Sequence, residues 1–445
     1  MSEQTAKKKR LPLWAKLLIA LLVLIIGFLG FAYGTIRYFV GDSLGFKGTL
    51  AMVGYGGFDM PKWFCNFVLD VDRSYPGLPE LLVTLDGENV ATPEEYAARR
   101  QELMDLYETY MYGKVPVDGF ETTFLLEESG PVLDGAALRQ QVRITVSSEA
   151  GRHEAMLLVY LPAGAQNCGM FVGLNFTGNT AVWADTAILP SLQQADNVKP
   201  GQEASSWPVD QIIAAGYGVA TMYCGDWAPD DTETFQQGLI SLFPGQNCTI
   251  YSVWAFGFSR GIDYLTQLEQ VDPAAIASVG HSRLARASLW AGANDTRISL
   301  VTASCGGGYM RSPLLGNIDS SSTGTHWATP EHFSYEGRDK ELPVDIHMLY
   351  ALPADRHLYV SMGAQDLASD PVATYDAVQS AKHVWRDIYG QNVIPDGGYA
   401  DLIPGTPQFS EGLAVHVHVG GHAITAEDWM HYIRYMEEYV RNPIR

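Results

Sequence analysis

Apolar and polar positions alternate in blocks along most of this chain, and the blocks predict strands and helices in turn. Residues 141–146 alternate apolar and polar side chains, which is typical of a half-buried strand. The runs 156–161, 170–176 and 218–224 are mostly apolar, which suits strands covered on both faces, as in a parallel sheet. Further strands are predicted at 274–279, 298–304, 357–363 and 413–419.

Helices are predicted between these strands. Thr92 precedes a proline at the first helical position and Glu95 at the third, which is a helix start, and this helix should run to about Tyr112. A similar capping pattern begins at Thr425 and starts the final helix. Other helices are predicted at 209–215, 252–270, 284–291 and 371–389. The alternation of strands and helices indicates an α/β fold with a mainly parallel central sheet.

The N-terminal region carries a different pattern. Residues 17–36 form a run of 20 without a charged side chain, which matches the thickness of a bilayer core. Basic residues precede this run, so we expect residues 1–16 to form a cytoplasmic tail and residues 17–36 an uncleaved transmembrane signal anchor. The protein would then be anchored in the cell membrane with its body outside the cytoplasm. A cleaved signal peptide is the alternative. Residues 37–90, rich in glycine and aromatic residues at their start, are expected to pack as an irregular extension on a main domain over 91–445.

Composition narrows the function classes. The 445 residues are 47% hydrophobic, which is enough for a large core. The net charge is −21, and because the first 40 residues carry +5, the remainder carries −26. Such an acidic body repels phosphate backbones, so we expect no nucleic-acid partner. The five cysteines include no C-x-x-C pair, which excludes a zinc ribbon or a thioredoxin-type motif.

The most informative stretch is the end of the strand predicted at 274–279. Gly280 and Ser282 follow it, and a helical pattern begins directly afterwards. Strand, sharp turn with a serine at its tip, and helix are the parts of a nucleophile elbow. An ordinary surface turn is the alternative, because Leu284 stands where the second glycine of G-x-S-x-G would be. Arg283, next to the serine, could stabilise an oxyanion or could only hold the elbow through a salt bridge.

A serine nucleophile needs a base and an orienting acid, which follow it along the chain in the order acid, then histidine. Asp366 comes just after the strand at 357–363 and is the first candidate for the acid; Asp370 is the second. A turn or helix cap is the commoner use of either residue. His422 follows two glycines after the strand at 413–419 and is the candidate base.

The same region contains His416 and His418, which with His422 read H-x-H-x-x-x-H. This spacing could suggest a metal site, with the first two histidines on one strand face. We instead expect His416 and His418 to be packed or hydrogen-bonded in the sheet. Neither a metal nor an organic cofactor is expected.

At these residues the chain resembles the glucuronoyl esterase family, whose elbow reads G-[C/H]-S-R-x-G-K. Matching blocks occur in order over about 350 residues, which makes the resemblance far more specific than any one motif. They are 173–179, 223–226, 254–265, the elbow 278–286 with 289–293, 305–307, 365–367 with 370–371, and 421–422 with 428–429.

The resemblance implies an α/β-hydrolase that cleaves esters of glucuronic acid, as in xylan–lignin linkages of plant cell walls. It implies Ser282 as nucleophile, Arg283 at the oxyanion site and His422 as base. The family has Gly and Lys where this chain has Ala285 and Arg286, and that Lys helps to hold the sugar. Arg286 is therefore expected to bind substrate in its place.

Two further departures concern the acid and the sugar. Asn317 stands about where many members carry the acid as a glutamate, which transfers that role to Asp366. Ala368 replaces a sugar-stacking tryptophan, and Trp327, with His326, could supply the aromatic surface instead. An esterase acting on other esters, such as acetylated sugars, and an inactive carbohydrate-binding protein remain as alternatives.

Overall fold

The computed structural model of this protein describes residues 20–28, 30–31, 75, 77–312, 318–321, 324–366 and 368–442. The chain divides into two compact units, Met1–Val71 and Asp72–Arg445. In the first unit, residues 20–28 are helical and exposed. Within the described ranges, no helix has both the length and the apolar character that crossing a membrane requires. The tail 1–16 lies outside these ranges, as do residues 17–19, 29 and 32–36 of the predicted anchor and residues 37–74 and 76 of the predicted extension.

The second unit is built on one sheet of ten strands in the order β1-β2-β3-β5-β4-β6-β7-β8-β10-β9. The strands are β1 Glu121–Val132, β2 Ala137–Ser148, β3 Gly151–Pro162, β4 Cys168–Asn175, β5 Gly218–Tyr223, β6 Val271–His281, β7 Leu300–Ser304, β8 His357–Gly363, β9 Gln408–Phe409 and β10 Leu413–His418. Every predicted strand is present within a few residues of its predicted bounds, and β1 and β9 were not predicted.

The prediction of a mainly parallel sheet is confirmed for its centre. The six strands β5, β4, β6, β7, β8 and β10 pair in parallel. The strand predicted at 156–161 departs from the expectation, because β3 is antiparallel to both of its neighbours. It is nevertheless buried from Ala155 to Leu161, so its apolar run reflects burial on both faces and carries no information about strand direction.

Helices cover both faces of this sheet. They are α1 Pro93–Tyr107, α2 Asn179–Val182, α3 Val209–Ala214, α4 Cys224–Trp227, α5 Ile250–Leu265, α6 Arg283–Asn294, α7 Pro330–Phe333, α8 Ile346–Ala351, α9 Pro371–Ala381 and α10 Ala426–Tyr435. The predicted capping boxes are formed at Thr92 and at Thr425. The helix predicted at 252–270 ends earlier, at Leu265, and the one at 371–389 passes into a π-helical turn, Val384–Ile388.

Two apolar layers hold the sheet between its helices. One layer packs α1, α5, α6, α8 and α9 on one face, and includes Trp254 and Trp290. The other packs α3 and α10 on the opposite face, around Trp429 and Tyr359. The four cysteines in the described part of the chain are Cys168, Cys224, Cys248 and Cys305, and all are free thiols. The carboxyl ends of β6, β8 and β10 meet at one edge, where the candidate residues lie.

Candidate active site

Ser282 lies at a strained turn between β6 and α6. Its backbone has φ 57° and ψ −133°, a left-handed conformation that is costly for any residue with a Cβ atom. Gly280 makes the turn possible, because a Cβ atom there would lie 2.2 Å from the carbonyl oxygen of Leu284. Arg283 is the first residue of α6, so its backbone N–H has no acceptor within the helix. The turn has the geometry of a nucleophile elbow.

The three residues predicted as nucleophile, base and acid are brought together. Nε2 of His422 lies 2.7 Å from Oγ of Ser282, and Nδ1 of His422 lies 2.8 Å from Oδ2 of Asp366. Both distances are hydrogen-bond lengths, and they form one continuous chain from hydroxyl to carboxylate. His422 reaches the serine from the loop after β10, and Asp366 from the loop after β8.

Asp366 is 1% exposed and keeps its charge through its neighbours. Burial alone would raise the pKa of this carboxyl, but hydrogen bonds from His422, Ser369 and Cys305 outweigh it and lower the pKa below its usual value. Ser369 also places its hydroxyl 3.2 Å from Nδ1 of His422. A charged carboxylate at this position holds a proton on Nδ1, which leaves Nε2 free to accept the proton of the Ser282 hydroxyl.

Asp370, the second candidate for the acid, occupies a different place. It is the N-cap residue of α9 and accepts a hydrogen bond from the backbone N–H of Ala373 at 3.1 Å. The hydroxyl of Ser312 also donates to its carboxylate. This is the helix-capping role that aspartate commonly has.

Arg283 forms an ion pair with Asp230, a carboxylate that the sequence analysis did not identify. Its Nε lies 2.5 Å from Asp230, and the guanidinium lies over the rings of Phe176 and Trp327. Asp230 also accepts from Nε1 of Trp327 and pairs with Nε2 of His326, both at 2.8 Å. Burial would raise the pKa of Asp230, but these hydrogen bonds and the nearby Arg283 lower it. The salt bridge considered from sequence is thus formed.

A cavity of about 550 Å³ opens beside Ser282 and His422. Trp327 and Arg286, both predicted to bind substrate, line it together with Ala368. Arg286 donates from Nε to the carbonyl of Gly306 at 3.1 Å. Its charge is surrounded by four phenol rings. They belong to Tyr107, Tyr112, Tyr251 and Tyr350. Burial alone would lower the pKa of Arg286, but these rings raise it, so the pocket wall carries a fixed positive charge.

Asn317, which stands about where many members of the family that the sequence resembles carry the acid as a glutamate, lies outside the described residues. His326 is buried beside Trp327; its Nε2 donates to the Asp230 carboxylate, and its Nδ1 lies 2.9 Å from the hydroxyl of Thr232. The ring of His281 is tilted against that of His422, with the ring centres 4.8 Å apart, and burial together with the charge of His422 lowers the pKa of His281 to about 3. His281 is therefore neutral at neutral pH.

The prediction for His416 and His418 is confirmed: both are hydrogen-bonded in the sheet. Their common partner is Asp428, at 2.6 Å from Nε2 of His416 and 3.1 Å from Nδ1 of His418. His422 points away from them to Ser282. Among the described residues, two groups have possible ligand atoms within 4.8 Å of one another, as a metal ion would require: Cys305–Asp366–His422 and His416–His418–Asp428. In both groups the donor atoms also hydrogen-bond one another.

Comparison with known proteins gives consistent relatives. A family model described as glucuronyl esterase of fungi matches residues 178–389. A carbohydrate esterase from an unknown prokaryotic organism is 33% identical over 393 residues, covering 82% of this chain and 89% of the relative. A solved structure of a promiscuous esterase of carbohydrate esterase family 15, from a marine bacterial metagenome, has a TM-score of 0.73 and 31% identity, covering 82% of this chain and 99% of that one. A glucuronoyl esterase from Solibacter usitatus has a TM-score of 0.74 and 30% identity, covering 81% of this chain and 97% of that one.

Proposed function

The chain belongs to the glucuronoyl esterase family, and on that premise we propose that this carboxylic ester hydrolase cleaves esters of glucuronic acid in plant cell-wall polysaccharide. The observation that carries the proposal is the hydrogen-bonded sequence Ser282–His422–Asp366 beside a cavity of about 550 Å³. A cavity of this size accepts a sugar ring and part of its alcohol. We propose xylan–lignin ester linkages as the natural substrate class.

In the proposed reaction, Oγ of Ser282 attacks the ester carbonyl while Nε2 of His422 accepts the hydroxyl proton. The backbone N–H of Arg283 faces the developing oxyanion at the helix N-terminus, and the Arg283 guanidinium adds positive charge nearby. The tetrahedral intermediate collapses, and its carbon–oxygen bond to the alcohol breaks. His422 gives its proton to the leaving alcohol oxygen, which leaves an acyl group on Ser282.

Water completes the cycle. His422 takes one proton from the water, the resulting hydroxide attacks the acyl carbonyl, and the proton returns to Oγ of Ser282 as the acid is released. Asp366 remains a carboxylate throughout and stabilises the imidazolium of His422. Ser282 and His422 thus end each cycle in their starting protonation states.

We propose that Arg286 and Trp327 hold the sugar. Arg286 presents a fixed guanidinium whose terminal N–H groups are donors for sugar hydroxyls, while its Nε is held by Gly306. Trp327, 37% exposed and anchored through Nε1 to Asp230, offers a ring face on which a sugar can stack. Ala368 leaves open the side of the cavity where relatives carry a stacking tryptophan.

The test compares two substrates. Purified protein should hydrolyse a benzyl glucuronate ester and should leave acetylated xylan nearly untouched. A fluorophosphonate should label the protein, and the label should disappear in Ser282→Ala. Activity on the acetyl ester alone would contradict the glucuronoyl assignment, and folded protein that takes no label would contradict a serine mechanism.

A second candidate function is a broader esterase on the same fold. Two features favour it: the open space at Ala368, and the presence of Arg286 where the family has a lysine. Both reduce the number of contacts that would select one sugar over another. A related structure at 31% identity is described as a promiscuous esterase. Comparable kcat/KM values for the glucuronate and acetyl esters would support this candidate over the first.

We further propose that residues 17–36 anchor the enzyme in the cell membrane, with the esterase unit outside the cytoplasm and the basic tail 1–16 inside. The support is the run of 20 uncharged residues behind Lys7–Arg10 and Lys16. The protein should stay with membranes extracted with alkaline carbonate, and added protease should reach it in intact cells. Its release into the carbonate supernatant would argue against the anchor.

A further inference from the structure

The loop that carries His422 is held by a buried group outside the three residues assigned to the chemistry. His418, the last residue of β10, is 1% exposed and lies below this loop. Its Nδ1 faces Oδ1 of Asp428 at 3.1 Å, and its Nε2 faces the carbonyl oxygen of Gly421 at 3.2 Å. Gly421 directly precedes His422. His418 therefore links the first turn of α10, where Asp428 lies, to the backbone beside the proposed base.

Both neighbours of the His418 ring can only accept hydrogen bonds. The carbonyl of Gly421 has no proton, and Asp428 is a carboxylate whose pKa lies below its usual value. Burial would raise that pKa, but His416 and His418 outweigh it. Oδ2 of Asp428 already accepts from the backbone N–H and the hydroxyl of Thr425, at 2.6 and 2.9 Å. Each nitrogen of His418 must then carry a proton for both contacts to form.

His416 satisfies its contacts in the neutral form. Its Nε2 donates to Asp428 at 2.6 Å, and its Nδ1 accepts from the hydroxyl of Tyr359 at 3.0 Å. The cluster therefore balances one carboxylate with one imidazolium. The Asp428 hydrogen bond and the Gly421 carbonyl overcome the burial of His418 and raise its pKa above the usual value.

The loop has little freedom to adjust if this link is lost. The N–H of Gln365 donates to the carbonyl of Gly420 at 2.8 Å, and a Cβ atom at Gly363 would lie 2.2 Å from the Gly421 oxygen. The end of β8, which leads to Asp366, is thus packed against the loop that leads to His422. A shift of the Gly421 carbonyl moves His422 relative to both Ser282 and Asp366.

We propose that His418 is a positioning residue that works as a buried imidazolium: it clamps the His422 loop through the Gly421 carbonyl, and its deprotonation releases the loop and sets the alkaline limit of turnover. This inference rests on the proposed function, since it assigns His422 as the base. The titratable groups around His418 are His281, Asp366, His416, His422 and Asp428.

The direction of the pH effect follows from the raised pKa. Because the folded pKa of His418 lies above the unfolded one, the stabilisation that its proton supplies is fully present below the unfolded pKa and is lost as pH rises through the folded pKa. Above that pH a neutral ring can donate to Asp428 or to Gly421, but not to both. We therefore expect kcat to fall on the alkaline side with little change in KM, because His418 does not line the cavity.

The first experiment uses the full-length protein labelled with ¹⁵N at its histidines. NMR shifts of the His418 ring, assigned by their loss in His418→Gln, should report N–H at both nitrogens at pH 7. The pH at which His418 loses a proton should coincide with the fall in kcat. A singly protonated His418 at pH 7 would overturn the proposal, and the protonation state itself is read in the wild-type protein.

The second experiment compares pH profiles of two variants. His418→Gln keeps neutral donors at every pH, so its kcat should be about tenfold lower at pH 7, as expected for a slightly misplaced base, and its alkaline fall should disappear. His431→Gln is the matched control, because His431 lies on α10 in the same cluster, with its ring 4.8 Å from that of His416, and it should keep the wild-type profile.

The outcomes separate the two proposals. A wild-type profile in His418→Gln contradicts the positioning role. Loss of the alkaline fall in His431→Gln also contradicts it, since the fall would then belong to the whole cluster. Wild-type protein that takes no fluorophosphonate label at Ser282 contradicts the proposed function, whatever the NMR titration of His418 reports.

Discussion

Replacing Asp366 by asparagine is the most discriminating change to the proposed mechanism. The side chain keeps its size, so packing is preserved, but its Oδ2, which lies 2.8 Å from Nδ1 of His422, is exchanged for an amide that can turn its NH₂ toward that nitrogen. Nδ1 would then act as acceptor, the proton would move to Nε2, and Nε2 could no longer accept the proton of Ser282. Water cannot substitute for the carboxylate, because Asp366 is 1% exposed.

The expected loss is large. Fixing the wrong histidine tautomer in a triad lowers kcat by about 10³ to 10⁴, which corresponds to about 4 to 5.5 kcal/mol of transition-state stabilisation. KM should change little, because the carboxylate lies behind the histidine. The assay is kcat on a benzyl glucuronate ester between pH 5 and 9, together with the rate of fluorophosphonate labelling, which should fall in parallel with kcat.

Asp370→Asn is the matched control, since it makes the same atomic exchange four residues away. Asparagine is as good an N-cap as aspartate and tolerates the left-handed backbone of Asp370, whose φ is 45°. Its kcat should stay within a few-fold of wild type. If Asp370→Asn loses turnover and Asp366→Asn keeps it, the assignment of the acid is wrong.

Three further predictions concern strain, the cavity and pH. Ser282→Gly should unfold at a higher temperature than Ser282→Ala, because glycine removes a backbone strain of about 1–3 kcal/mol that alanine retains at φ 57°; a lower melting temperature for the glycine variant would contradict the strain. Asp230→Asn should raise KM more than it lowers kcat, because Arg283 and Trp327 lose the carboxylate that anchors both of them. The control is Asp231→Asn, which alters only an exposed turn contact to Thr234 and should behave as wild type. Thermal stability should fall as pH drops from 7 to 5. In the folded protein burial lowers the pKa of His281 to about 3 and that of His332, His347 and His357 to about 4, so these rings stay neutral over a range in which the unfolded chain takes up protons. A flat melting temperature over this range would contradict their neutrality.

Much of the site could be predicted because catalytic position in this fold follows from strand order. Ser282, Asp366 and His422 each come shortly after an apolar strand, and the carboxyl ends of parallel strands meet at one sheet edge. The partners of these residues could not be predicted in the same way. Asp230 lies beyond the short helix α4 that follows β5 and belongs to none of the motifs, yet it anchors Arg283, His326 and Trp327.

The local structure could be predicted from the sequence: where helices start, as at Thr92 and Thr425, and which runs are apolar enough to be buried, because capping and hydrophobic pattern depend on residues close together in the chain. The order of the candidate nucleophile, acid and base along the chain also follows from the sequence. The packing of separate elements shows that Asp366, and not Asp370, lies beside the ring of His422, and it brings Asp428 beside His418. Such contacts depend on how separate elements pack, since a hydrogen bond needs atoms within about 3 Å and sequence spacing carries no such information.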